Sequence, residues 1–218
     1  MRYAFHDQLD SIFADLADIC RQVETAVRLA TDALLNARVE VAEQVISGDT
    51  AIDEARERVE DTALSLLSLQ APVAGDLRTV VAALRMVSEL ERMGDLAVHV
   101  AKIARLRTPR LAVPEAARET VSRMAAVAED MVSRVASIIE ERDVDQAEAL
   151  RQDDEEMDRL RREIFTQLFN KQWDASIEAA VDLALLGRYY ERIADHAVSV
   201  AGRVIFVVTG EAPASTRS

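Results

Sequence analysis

An all-α protein built as two tandem up-down-up three-helix bundles is what this sequence predicts, and three observations carry that expectation. Glycine (6), proline (4) and aromatic residues (4%) are scarce while 50% of the chain is hydrophobic, a usage that favours helix over strand. Apolar residues step by three and four through nearly every segment. The second half of the chain also repeats signature groups of the first, the mark of an internal duplication.

Taken in order, the helices are separated by breaks near Asn36 to Arg38, at Gln70 to Gly75, at Arg107 to Pro114, near Arg142 and Asp143, and at Lys171 to Asp174, which leaves six long helices. Pro114 is suited to the first position of the fourth helix, with Glu115 in the first turn where the helix dipole favours an acid. The last helix is the plainest: Leu183, Leu186, Tyr190, Ile193, Ala197, Val200, Val204 and Val207 form one apolar stripe along about 35 residues. Short connections between long helices make neighbours antiparallel. The expected division is therefore residues 1–108 as one bundle, 109–209 as the other, and 210–218 as a small, polar, disordered tail.

Asp and Glu number 39 against 26 Lys and Arg, a formal charge of −13. Such a field repels a phosphate backbone, so nucleic acid is excluded as a partner. The single cysteine, Cys20, rules out an intramolecular disulfide and is expected to be a buried thiol in a reducing compartment. Residues 1–10 lack an apolar h-region and no stretch approaches 18 uninterrupted apolar residues. A cytoplasmic protein with no membrane insertion is expected.

The repeat is specific. Glu91-Arg92-Met93-Gly94-Asp95 recurs 100 residues later as Glu191-Arg192-Ile193-Ala194-Asp195. Upstream, Asp49-Thr50-Ala51-Ile52-Asp53 recurs 105 residues later as Asp154-Glu155-Glu156-Met157-Asp158. The five-residue difference is expected in a shorter second connection, the one that holds Trp173.

Each half thus offers an Asp-x-x-x-Asp pair on its second helix, Asp49 with Asp53 and Asp154 with Asp158. Each also offers a Glu-x-x-x-Asp pair on its third, Glu91 with Asp95 and Glu191 with Asp195. Four residues make about one turn, so the carboxylates of a pair share a helix face. If the paired helices face each other, four acids converge, and like charges about 5 Å apart repel by roughly 3 kcal/mol per pair at an effective dielectric of 20. Raised pKa values, interleaved arginines such as Arg92 and Arg192, solvent exposure or bound cations would each offset that cost. All-oxygen donors suit hard ions such as iron(III), manganese, magnesium or calcium.

A lone acidic pair on a helix is ordinarily surface decoration; four pairs at matching places in a duplicated chain raise the odds of a metal site. His99, one turn past Asp95, is within reach of it, although a supporting or surface role is expected. His196 points about 100° away from Asp195 and is expected to pack or face solvent. Met86, Met93, Tyr190 and Phe165 are expected in the core. A ferritin-like di-iron oxidase needs Glu-x-x-His on facing helices, and the residues three past Glu91 and Glu191 are Gly94 and Ala194.

The run Leu67-Ser68-Leu69-Gln70-Ala71-Pro72-Val73-Ala74-Gly75-Asp76-Leu77-Arg78, followed by the two Glu-Arg-x-x-Asp groups, resembles the signature of the PhoU family of phosphate-signalling regulators. The alanine- and arginine-rich usage is similar to actinobacterial, PhoY-like members. The resemblance implies metal clusters, commonly iron, held by Asp49, Asp53, Glu91 and Asp95 in one half and by Asp154, Asp158, Glu191 and Asp195 in the other. Iron, manganese, magnesium, zinc and calcium all stay open as the ion. It further implies a homodimer without catalysis that represses phosphate uptake and the phosphate-starvation regulon, coupling the ATPase subunit of a phosphate ABC transporter to a sensor histidine kinase. A metal-free helical adaptor is the alternative. Many relatives carry asparagine four residues past the motif Asp, where this chain has His99 and Ser199.

Overall fold

The computed structural model describes the backbone of residues 2–152, 154–170 and 173–211, and their side chains apart from those of 2–4, 151, 152 and 154. The helices are α1 (Arg2–Asn36), α2 (Val39–Gln70), α3 (Gly75–Arg107), α4 (Glu115–Glu141), α5 (Val144–Gln152), α6 (Asp154–Leu168) and α7 (Ile177–Thr209). α5 and α6 together span the expected fifth helix, with residue 153 between them outside the described residues, so the six expected helices are all present. The expected tail falls almost wholly outside the described residues, and no helix among them is long and apolar enough to cross a membrane.

In α1 the stripe Ile12, Leu16, Ile19, Val23 and Val27 is at most 1% exposed. Burial of each such side chain contributes roughly 1.5–3 kcal/mol, enough to place a 35-residue helix whose own propensity is ordinary. Cys20 is buried as expected, its thiol donating to the Val132 carbonyl of α4 at 3.2 Å. Met86, Met93 and Tyr190 are fully buried, while Phe165 is half-buried.

Packing sorts the helices into layers. α2 lies against α1 and α3, while α5 and α6 lie against α4 and α7. Between them, α1 meets α4 and α3 meets α7, so the inner helices of the two halves share one continuous core. α3 and α7, which carry the Glu-x-x-x-Asp pairs, are each enclosed by helices of their own half and by each other. The α3–α7 crossing is antiparallel: Arg107 holds Asp182 at 2.5 and 3.2 Å, the His99 ring stacks on Tyr189 at 5.3 Å, and Glu89 meets His196 at 2.6 Å. Thr31 of α1 and Tyr190 of α7 share a hydroxyl hydrogen bond at 2.8 Å.

Helix ends depart from expectation in two places. Pro114 is the N-cap residue, with α4 starting at Glu115, because its extended ψ of 148° belongs to a cap and not to a helix. The five-residue shortfall of the second half lies in helix length, not in the connection. α2 runs 17 residues past Asp53 and α6 only 10 past Asp158, whereas the 169–176 connection is longer than Ala71–Ala74. Ser176 caps α7, its hydroxyl accepting from the Ala179 amide at 3.1 Å. The first connection is tight, and Ala71 and Ala74 take positive φ values of 42° and 50°.

Candidate functional site

In the first half, α2 delivers Asp49 and Asp53 and α3 delivers Glu91 and Asp95. Gly94 sets the approach: a Cβ there would lie 3.1 Å from Ile52 Cδ1 and 3.8 Å from Asp49 Oδ1, so a bare backbone lets the two helices close at the height of the acids. Asp49, Asp53 and Glu91 are half-buried and Asp95 is exposed. Burial lifts the Asp49 carboxyl above its ordinary range, and the neighbouring charges of Asp95 and then Asp53 add to the lift. Burial likewise lifts Glu91, followed by Asp95, with Arg56 acting the other way. Beyond burial, these shifts record acids that repel one another, offset in part by Lys102 and His99 near Asp49 and by Arg56 and Arg92 near Glu91. Among the described residues none of the four makes an ion pair or a hydrogen bond through its side chain. A groove of about 400 Å³ bounded by Thr25, Val45, Asp49, Ile52, Gly94 and Val98 runs up to Asp49.

The second half presents the same helices with different company. Glu191 is almost fully buried, its side chain 9% exposed, and each carboxylate oxygen accepts from a guanidinium. Arg161 Nη1 donates to Oε1 at 2.8 Å and Arg188 Nη1 to Oε2 at 2.7 Å. Asp195 is half-buried; burial lifts its carboxyl, then Glu191, against Arg188 and His196. Asp158 is exposed, and the Asp154 side chain lies outside the described residues. Ala194, fully buried, stands where the first half has Gly94.

The structure therefore brings Asp49, Asp53, Glu91 and Asp95 within electrostatic range of one another; in the second half Asp195 lies in the same range of Glu191 and of Asp158, although Asp158 is exposed. Among the described residues no three His, Cys, Asp or Glu side chains form a group that could hold a metal ion. The donor chemistry of the first half still fits a hard cation, because it offers only oxygens and none is committed to a cationic partner. That of the second half does not, because both oxygens of its buried glutamate are occupied.

Of the two arginines expected to compensate the acids, Arg92 acts on Glu91 at a distance, while in the second half the contacts to Glu191 are made by Arg161 and Arg188. Sequence reasoning missed the Glu89–His196 pair, in which His196 holds the Glu89 carboxyl below its usual range, leaving His196 Nε2 buried without a partner. A histidine on a buried helix crossing needs an acceptor, and it is the packing of α3 on α7 that shows His196 to stand at one. His99 is exposed and spends its ring on Tyr189.

A family model, the PhoU domain, matches residues 16–104 and 121–204. The chain is 46% identical to a phosphate-specific transport system accessory protein, PhoU homolog 2, of Mycobacterium tuberculosis, over 98% of this chain and 100% of that one. It is 30% identical to PhoU homolog 1 of Methanothermobacter thermautotrophicus, with 97% of each chain covered. Among solved structures it resembles the phosphate transport system regulatory protein PhoU of Streptococcus pneumoniae, with a TM-score of 0.82 and 26% identity over 95% of this chain and 98% of that one. It also resembles PhoU of Pseudomonas aeruginosa, with a TM-score of 0.84 and 27% identity over 95% and 100%.

Proposed function

We propose that this chain, which belongs to the PhoU domain family, is a non-catalytic accessory regulator of phosphate transport that works through a metal held by Asp49, Asp53, Glu91 and Asp95. The observation that supports the metal is the state of the first-half acids: Asp49, Asp53 and Glu91 are half-buried, the acids repel one another, and Lys102, His99, Arg56 and Arg92 offset that only from a distance, without an ion pair to any of the four. A hard cation bound there would bridge α2 to α3, and the chain's part is to hold four oxygens on facing turns.

The regulatory role follows from relatives matched end to end and named as accessory to phosphate transport. Within it, the chain represses phosphate uptake by linking the transporter's ATPase subunit to the cognate sensor histidine kinase, as a cytoplasmic homodimer. Deleting the gene is expected to derepress phosphate-starvation transcripts in phosphate-replete cells, and the purified chain to retain the kinase or the ATPase subunit on a column. Unchanged transcription in the deletion strain would remove this role.

One observation favours a metal-free adaptor instead: the described side chains form no closed metal-holding group. Elemental analysis of the chain as isolated decides, since the adaptor carries no stoichiometric metal and a D49A/D53A/E91A/D95A variant then matches the parent.

A further inference from the structure

The two halves use their duplicated positions differently, and three substitutions account for it. Arg56 and Arg161 occupy equivalent places 105 residues apart, yet Arg56 turns to Glu60, one turn on, at 2.8 Å. In the second half the counterpart of Glu60 is Phe165, which accepts no hydrogen bond. Arg161 instead lies with its Cζ 5.7 Å from the Phe165 ring and reaches across to Glu191 on α7. The counterpart of Arg188 is Ser88, whose hydroxyl is spent on the Leu84 carbonyl of its own helix at 3.2 Å. The third change, Gly94 to Ala194, puts a methyl where the first half packs Ile52 against bare backbone.

We infer that the second half has exchanged its metal for an internal arginine clamp, Arg161–Glu191–Arg188, so that the chain takes hard cations in its first half alone. A cation approaching Glu191 would have to displace two guanidinium groups that are already at charge-assisted hydrogen-bond distance, and it would meet their positive charge on the way. Only Asp195 and the exposed Asp158 are left to hold it among the described side chains. Through Arg161 the clamp ties α6 to Glu191 of α7 without any ion, a link that Glu91 lacks in the first half. The inference rests on the first-half acids being metal ligands, and its test separates the two.

The test uses the full-length chain, stripped with chelator and titrated with Mn²⁺ by calorimetry, with bound metal counted after dialysis. E191Q is expected to bind as much Mn²⁺ as the parent, whereas F165E/R188S, which restores the first-half residues around Glu191, gains an additional equivalent. Mn²⁺ lost in E191Q, or no gain in F165E/R188S, overturns the clamp. If the double variant does not fold, R188S alone changes only a side chain that is 53% exposed and serves the same comparison. Thermal unfolding of the stripped proteins decides independently of any metal. E191Q is expected to lower Tm by roughly 3–6 °C, because it weakens two charge-assisted hydrogen bonds to one buried carboxylate, and E91Q to leave it unchanged or raised. Equal shifts overturn the clamp, and a parent that takes up no Mn²⁺ while these shifts differ overturns the first-half metal site alone.

Discussion

Glu91 and Glu191 sit at the same turn of the same helix in two copies of one bundle, and their surroundings are opposite. Glu91 is held among like charges, with its nearest arginine engaged elsewhere; Glu191 is locked between two arginines. Duplication has preserved the scaffold, the helix crossing and the acidic motif, while the charge partners have diverged at positions 60/165 and 88/188. The lesson is that a repeated motif fixes where a carboxylate stands and says little about whether it is free to bind.

The largest expected effect comes from the feature that opens the first site. G94V forces β-branched atoms onto Ile52, already 3.1 Å from a single added Cβ. It should cost roughly 1–3 kcal/mol in urea unfolding and weaken cation binding at least tenfold in a Mn²⁺ titration. A194V, in a half whose clamp needs no such room, should leave Mn²⁺ uptake unaltered.

S88R brings the second-half arginine to the first half and sharpens the contrast. Given a guanidinium one turn before Glu91, Mn²⁺ affinity should fall about tenfold, with stability changed by about 0.5 kcal/mol or less because the pair is partly exposed. The reciprocal R188S should cost about 1 kcal/mol, and half or more of that loss should vanish in 0.5 M salt as the remaining charges are screened. A salt-independent loss would mean that Arg188 acts through packing of its stem.

The smallest effect concerns the connections. Ala71 holds a left-handed conformation in the first half, which costs an alanine roughly 1 kcal/mol relative to glycine. A71G is therefore expected to stabilise by a few tenths of a kcal/mol up to about 1, with the greater freedom of glycine in the unfolded chain taking back part of the gain. No described residue of the 169–176 connection has a positive φ, so A175G there should destabilise slightly.

Much of the fold was legible because helices report themselves through periodicity. The stripe from Leu183 to Val207 and the break at Gln70 to Gly75 required nothing but residue spacing, and the duplicated acids fell on facing helices as their registers demanded. What spacing could not give is the choice a long side chain makes among acceptors. Arg56 and Arg161 share a register yet end on Glu60 and Glu191, decided by whether a carboxylate or a ring stands four residues on. That rule is visible in the sequence once the halves are aligned. The misplaced five-residue difference has a similar origin: a repeat offset shows that residues are missing, and only the helix ends, Gln70 in the first half and Leu168 in the second, show that helix and not loop was shortened.

The most direct test is a metal count on the chain as isolated from phosphate-replete cells, with D49N/D53N and D158N/D195N measured side by side. The account predicts that D49N/D53N emerges without stoichiometric metal and that D158N/D195N keeps the full content of the parent. Equal losses in the two variants, or loss confined to D158N/D195N, would contradict it.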